Sequence, residues 1–266
     1  MRLPCRGRSC HYPVNACLQP LSSTHYMRAA PLIPLLVLAA CGSTAANFSP
    51  EQANIDTARA ALRGGAPQIA LQVVAGSLQR RPQDEAALIV QGDALTALGR
   101  YDAAQLSYNN VLQRNPASPG ALLGLGRIEL TSNPASAESL LLAALRNDPR
   151  NTSALNDLGV ARDLQNHHAD AQAAYRKALG LDPQSSAAMV NLALSMAMTG
   201  QADAAVRMLR PLASNPGATP KLRHDLAAAL TMAGRRQEAA QILSADLSPA
   251  EVRQALDAYV SARAKR

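Results

Sequence analysis

Few residues of this 266-residue sequence have the types and spacing that catalysis requires. The adjacent histidines His167 and His168 do not share a helical face, and no carboxylate pair or cysteine accompanies them, so we interpret them as solvated histidines of a turn. His224 precedes Asp225, but no nucleophile stands in a matching motif. The sequence therefore predicts no catalytic site, no metal site and no cofactor.

The stretch from Gly124 to Glu129 has two glycines spaced as in a dinucleotide-binding loop. It falls within a predicted helix and no strand precedes it, so this interpretation is rejected. A binding protein is consequently the first hypothesis for this chain, an enzyme the second and a nucleic-acid binder the third.

Cys41 is the residue whose surroundings indicate a chemical modification. An apolar run at 29–40 precedes it, and this run is shorter than the roughly 20 residues of a membrane-spanning helix. Such a run, preceded by Arg28, is typical of a secretory signal segment covering 1–40. The stretch from Leu38 to Cys41 resembles a bacterial lipobox, which implies that Cys41 is lipidated. An ordinary signal with a chance cysteine is the alternative.

The residues around this signal bear on location and charge. We interpret 1–26 as lying upstream of a translation start at Met27, with a long arginine-bearing signal as the alternative. Removal of the four arginines before Cys41 lowers the formal net charge from +7 to +3, which removes the reason to expect a nucleic-acid partner. Residues 41–50 would form a tether. Gly42, where lipoproteins retained in the inner membrane of enteric bacteria have Asp, implies the outer membrane, with the chain facing the periplasm.

Prolines recur every 33 or 34 residues through the rest of the chain, at Pro82, Pro116, Pro149, Pro183 and Pro216. The residue before a proline disfavours the helical conformation, so each proline marks a helix end. Aromatic residues make up only 3% of the sequence, and alanine and leucine abound, which favours helices packed on helices. The period resembles that of the tetratricopeptide repeat (TPR), which implies an all-α solenoid of antiparallel helix pairs.

The repeat at 152–185 carries this pattern most fully. Leu155 and Leu158 share one face of the first helix, Gly159 is small where the helices cross closely, and Tyr175 fills the space beside it. The predicted TPR array covers 51–250, with repeats at 51–84, 85–118, 119–151, 152–185, 186–219 and 220–250.

A last helix is predicted at 251–266. Ser248 and Glu251 have the spacing of a capping box at its start. An apolar stripe on this helix would cover the open face of the sixth repeat: Val252, Leu256, Tyr259 and Val260.

The first helices of stacked repeats line a concave groove, and the TPR resemblance implies which positions face it. In the C-terminal half these positions are mostly apolar, which favours an amphipathic helix or an extended apolar segment as the ligand. Only Asn156 and Arg127 fit a groove that clamps a terminal carboxylate. Contact through the convex face is the alternative. The predicted groove residues are Ile89, Asp93, Thr96, Leu123, Arg127, Ser153, Asn156, Val160, Asp163, Val190, Leu194, Met198, His224 and Met232.

The lipobox, the six repeats and the tail from Ala245 to Val252 together resemble TadD-like lipoproteins of the Flp (tight-adherence) pilus machinery. The resemblance implies a non-catalytic, pilotin-like protein that assists assembly of a pilus secretion channel. Its partner would be a secretin or another pilus component, with a lipid anchor in the membrane and neither nucleic acid nor a small-molecule substrate. A general TPR scaffold of the cell envelope is the alternative.

Overall fold

The computed structural model describes residues 50–264, and the predictions for the signal segment, Cys41 and most of the tether lie outside them. Within this range the chain forms helices and no strand, and none of these helices has the length and hydropathy that a membrane crossing requires. The thirteen helices are α1 (Pro50–Arg63), α2 (Pro67–Arg80), α3 (Glu85–Ala97), α4 (Tyr101–Arg114), α5 (Pro119–Glu129), α6 (Pro134–Asn147), α7 (Thr152–Leu164), α8 (His168–Leu181), α9 (Ser186–Met198), α10 (Ala202–Ala213), α11 (Pro220–Met232), α12 (Arg236–Leu243) and α13 (Pro249–Ala264).

Helices α1 to α12 form six antiparallel pairs stacked side by side. Each helix contacts its neighbours in the chain, and each odd-numbered helix also contacts the next odd-numbered one. The even-numbered helices make no comparable contact with one another. The odd-numbered helices therefore line the inner face of the solenoid and the even-numbered helices its outer face. This arrangement confirms the predicted all-α solenoid.

A residue with positive φ closes the turn inside five of the six pairs. Gly65, Gly99, Gly200 and Gly234 have φ between 71° and 85°, a region that glycine enters without strain. Asn166 takes the same place between α7 and α8 with φ of 63°, since asparagine tolerates this conformation best after glycine. The turn between α5 and α6 has no such residue and differs from the others in length, since it covers four residues, 130–133, whereas the other five turns have three each.

Glycines inside the pairs make room for aromatic rings. Tyr175 of α8 is 1% exposed, and a Cβ added at Gly159 of α7 would clash with its ring. A Cβ added at Gly92 of α3, or at Gly124 of α5 in the next pair, would clash with the ring of Tyr108 on α4. The rings thus occupy the volume that a larger residue on the facing helix would need.

This packing predicts opposite effects for two Gly→Ala substitutions. Gly159→Ala should lower the free energy of unfolding by about 1–3 kcal/mol, because the ring of Tyr175 has to move. Gly180 on α8 has nothing within 4 Å of an added Cβ, so Gly180→Ala should raise it by up to about 1 kcal/mol. Urea unfolding followed by circular dichroism checks both values. Equal effects of the two substitutions would contradict the packing described.

Helix α13 packs on α11 and α12. Its start is a reciprocal capping box, in which the backbone N–H of Ser248 donates to Glu251 Oε2 at 2.8 Å and the N–H of Glu251 approaches Ser248 Oγ at 3.5 Å. The predicted stripe is wrong at Val260, which is 48% exposed. Asp257 pairs with Arg236, the first residue of α12. The turn of α13 after Asp257, which contains Val260, therefore extends past the N-terminal end of α12.

Candidate protein-binding surface

The inner face changes chemical character along the solenoid. One equivalent position, repeated every 33 or 34 residues on successive odd-numbered helices, holds Arg59, Asp93 and Arg127 on α1, α3 and α5. The same position holds Val160 and Leu194 on α7 and α9. At this position the inner face is therefore charged in the N-terminal half and apolar on α7 and α9.

The charged residues of the N-terminal half are held by internal contacts. The hydroxyl of Tyr108 donates to Asp93 Oδ1 at 2.7 Å, and Arg127 Nε donates to Asp157 Oδ2 at 2.6 Å. Burial raises the pKa of Asp93, against the opposing effects of the Tyr108 hydrogen bond and of the charges on Arg127 and Arg59. Asp93 and Arg127, both predicted groove residues, thus already have partners within the protein.

The raised pKa of Asp93 predicts a pH dependence of stability. The folded chain binds the proton of the Asp93 carboxyl more tightly than the unfolded chain does. The contribution of protonated Asp93 to the free energy of unfolding is therefore present at low pH and is lost as pH rises through the pKa of the folded state. Asp93→Asn keeps an acceptor for the Tyr108 hydroxyl and cannot ionise. We expect its free energy of unfolding to rise relative to wild type between about pH 4 and 7.

Urea unfolding at several pH values measures this difference. A constant offset between Asp93→Asn and wild type across the range would contradict the prediction.

Asp163 connects three helices at the centre of the inner face. Its Oδ1 accepts from Ser195 Oγ of α9 at 2.8 Å and lies 2.7 Å from His168 Nδ1 of α8. Its Oδ2 accepts from the hydroxyl of Tyr175 at 3.0 Å, and burial and the nearby charge raise the pKa of that tyrosine. Asp163 therefore fixes the relative positions of α7, α8 and α9.

The interpretation of both turn histidines as solvated is wrong for His168. Its side chain is 15% exposed, because the turn at Asn166 brings the first residue of α8 back against Asp163 of α7. His167 is exposed as expected. Within residues 50–264, no group of three or more His, Cys, Asp or Glu side chains is placed to hold a metal ion.

Apolar side chains of α7 and α9, together with Asp163, Tyr175 and Asn191, line a cavity of about 220 Å³ on the inner face. Val160, Leu194 and Met198, all predicted groove residues, lie there together with Leu164, which is 47% exposed. The sequence analysis missed Leu164. The repeat pattern could have identified it, since Leu164 occupies the position in α7 that the predicted groove residue Met198 occupies in α9. These four residues form a surface that we call the α7–α9 apolar patch.

Asn156 and Asn191 bridge adjacent inner helices. Asn191 Nδ2 donates to Asn156 Oδ1 at 2.9 Å, and Asn156 Nδ2 donates to Asp157 Oδ1 at 3.0 Å. The amide of Asn156, which fitted a carboxylate clamp in sequence, is thus engaged inside the protein, as is Arg127 through Asp157.

The remaining predicted groove residues lie apart from the patch. Leu123 and Val190 pack into the core and are only 8% and 9% exposed. His224 Nδ1 lies 3.4 Å from the hydroxyl of Tyr259 on α13. The others are Ile89 and Met232, which are half-buried against core clusters, Thr96, which donates to the carbonyl of Gly92, and Ser153, which is exposed.

Comparison with known protein families identifies the repeats of this architecture. Residues 89–133 and 131–186 match one family model described as a tetratricopeptide repeat, and residues 164–218 match a second model of the same description. A curated relative, the cellulose synthase 1 operon protein C of Komagataeibacter xylinus, is 29% identical over 147 residues, or 53% of this chain and 11% of that protein. The chain thus spans about a tenth of the length of this relative.

Two solved structures share the fold. The type IV pilus biogenesis factor PilW superposes with a TM-score of 0.65 and 21% identity, over 77% of this chain and 98% of PilW. A thermophilic TPR protein of Thermus thermophilus superposes with a TM-score of 0.60 and 22% identity, over 68% of this chain and 98% of that protein. Residues 89–218 therefore consist of tetratricopeptide repeats, and the described part of the chain is a TPR solenoid. Solenoids of this class bind proteins on their extended inner surfaces.

Proposed function

We propose that this chain is a non-catalytic scaffold that binds an apolar segment of a protein partner on the inner face of its solenoid. The α7–α9 apolar patch carries the proposal, because leucine and methionine side chains are at least partly exposed there together on the inner face. Methionine and leucine adapt to varied apolar ligands. A partner that covers this apolar surface removes it from water, which favours association.

The polar residues around the patch favour an uncharged ligand surface. Asp163 already accepts from Ser195 and Tyr175, and Asp157 is paired with Arg127. A charged group of the partner would lose water there, and it would gain less from these carboxylates because each is already hydrogen-bonded within the protein. An apolar helix face or segment meets no such cost.

The features that resemble TadD-like lipoproteins support a specific kind of protein partner. The tail from Ala245 to Val252 is ordered, since Asp246 pairs with Arg223 and Ser248 caps α13. Together with the lipobox, this tail supports a pilotin-like role in a Flp/Tad pilus system, with a secretin or another channel subunit as the ligand. PilW, a type IV pilus biogenesis factor, supports this only through its fold.

Lipid attachment at Cys41 would hold the chain at the outer membrane, facing the periplasm. Two or three acyl chains give stable attachment where a single chain gives only marginal binding. The anchor would confine the scaffold and a channel subunit to one membrane and so raise their effective concentration. Binding of an exposed apolar surface during transit would prevent its aggregation.

Cys41→Ser tests the anchor. We expect the variant to become soluble or to remain as the unprocessed precursor, because the lipid-bearing thiol is gone. Membrane fractionation and immunoblotting of the mature-sized band measure this. A mature-sized variant that still sediments with the membrane would contradict the proposal for Cys41.

Deletion of the gene tests the function. We expect loss of secretin multimers at the outer membrane, resolved by gel electrophoresis without heating, and loss of pili. Normal multimers together with normal pili would exclude the channel role. The alternative, a general envelope scaffold with another partner, would then stand.

A further inference from the structure

A larger cavity lies next to the α7–α9 apolar patch, between α9, the end of α10 and the start of α11. It has a volume of about 850 Å³, and we call it the α9–α11 cleft. The area of its lining is mostly apolar, with contributions from Ala187, Val190, Pro211, Leu212, Ala218 and Leu222, and six polar or charged residues, among them Asn191, also line it.

The cleft coincides with a local departure from the repeat. Pro211 lies inside α10 and has no N–H to donate to the preceding turn. Helix α10 ends after 12 residues at Ala213, whereas α2, α4, α6 and α8 each have 14. The connection to α11 covers 214–219, two residues more than the connections before α3, α5, α7 and α9. No other repeat junction within residues 50–264 combines these features.

The charges of the cleft cancel. Lys221 and Asp225 are its only charged lining residues, and Lys221 Nζ lies 2.9 Å from Asp225 Oδ2. A lining that is apolar and without net charge complements an uncharged apolar group and excludes an unpaired charge.

The cleft continues the α7–α9 apolar patch. Asn191 lines both cavities, and α9 turns Ala187, Leu194 and Met198 towards them. At 1.5 Å per residue, Ala187 and Met198 are about 16 Å apart along α9. One ligand that fills both cavities must therefore offer apolar groups over about three helical turns.

We propose that the α9–α11 cleft receives one end of an amphipathic helix of the partner, about three turns long, whose apolar face carries no charge. This proposal rests on the proposed function and specifies its ligand. A helix directs side chains at i, i+3 and i+4 into the same volume, whereas an extended segment presents one side chain to a surface about every 6.6 Å. The volume of the cleft exceeds any single side chain and suits the helix.

The test uses fluorescein-labelled synthetic peptides of about 14 residues. One has leucines at helical spacing with glutamine and alanine elsewhere, and one has the same composition in scrambled order. Ala187→Glu places a carboxylate at the cleft at an exposed position in the first turn of α9, where an acidic residue suits the helix. Ala135→Glu, at the equivalent exposed position of α6 on the outer face, is the matched control.

Fluorescence anisotropy should show that the stripe peptide binds wild type and Ala135→Glu alike, and Ala187→Glu at least tenfold more weakly. Unchanged affinity of Ala187→Glu, with loss in Met198→Glu, would overturn the cleft and leave the proposed function standing. Unchanged affinity in both variants would also overturn inner-face binding. Equal affinity for the scrambled peptide, or no binding of the stripe peptide to wild type, would overturn the helical ligand.

Discussion

Replacement of Tyr175 by alanine should lower the free energy of unfolding by about 3–5 kcal/mol. The ring is 1% exposed and fills the space against Gly159, so its removal leaves a cavity between α7 and α8. Asp163 also loses the hydrogen bond that the tyrosine hydroxyl donates to it. Urea unfolding monitored by circular dichroism measures the effect.

Two further variants separate the causes. Tyr175→Phe keeps the ring and removes only the hydroxyl, so a loss of about 1 kcal/mol is expected. Tyr101→Ala removes a ring that is 53% exposed on α4 and should change stability by less than about 0.5 kcal/mol. A change below about 1 kcal/mol for Tyr175→Ala would show that the ring does not hold these helices together.

The double variant Leu164→Glu with Met198→Glu should weaken binding of the proposed ligand, a secretin or another channel subunit, more than about a hundredfold. The two carboxylates would be buried against an apolar ligand without partners, which costs more than about 3 kcal/mol in total. Both positions are at least partly exposed, so the fold should be retained. Val190 is unsuitable for this test because it lies in the core. Isothermal titration with the purified subunit measures the affinity.

The matched control for binding is Leu106→Glu with Leu142→Glu. Both leucines are exposed on even-numbered helices, at 71% and 37%, and the same substitutions there should leave the affinity unchanged. Loss of binding in this control with full binding by the inner-face variant would establish contact through the convex face instead.

The fold was predictable because its signals are local. A proline period marks the ends of helices, and Gly99, Gly200 and Gly234 mark turns that need positive φ. The structure adds Asn166 at the same place in the fourth repeat. Asparagine enters this conformation less readily than glycine, so the residue type alone does not predict the positive φ of this turn.

The binding surface was predictable only in part, because it depends on how helices meet. The contacts of Asp163 with His168, Tyr175 and Ser195 join three helices, and their spacing in sequence follows no simple period. The burial of Val190 depends on its position against α10 and α11, within a core cluster that no periodicity reveals. The α9–α11 cleft likewise adjoins Pro211. In the sequence this proline predicts only a disturbed helix and not a cavity.

The helix α13 has a consequence for how copies of the protein can associate. Repeats stack because each leaves an apolar side for the next, and the same surface on a terminal helix would let separate chains join into a filament. The side of α13 turned away from the core instead exposes Glu251, Arg253, Gln254 and Asp257. These polar groups leave a neighbouring copy little apolar surface beyond Ala258 and Val260 on which to continue the stack. The described solenoid therefore resists polymerisation at this end, and each chain would present its own separate groove to a partner.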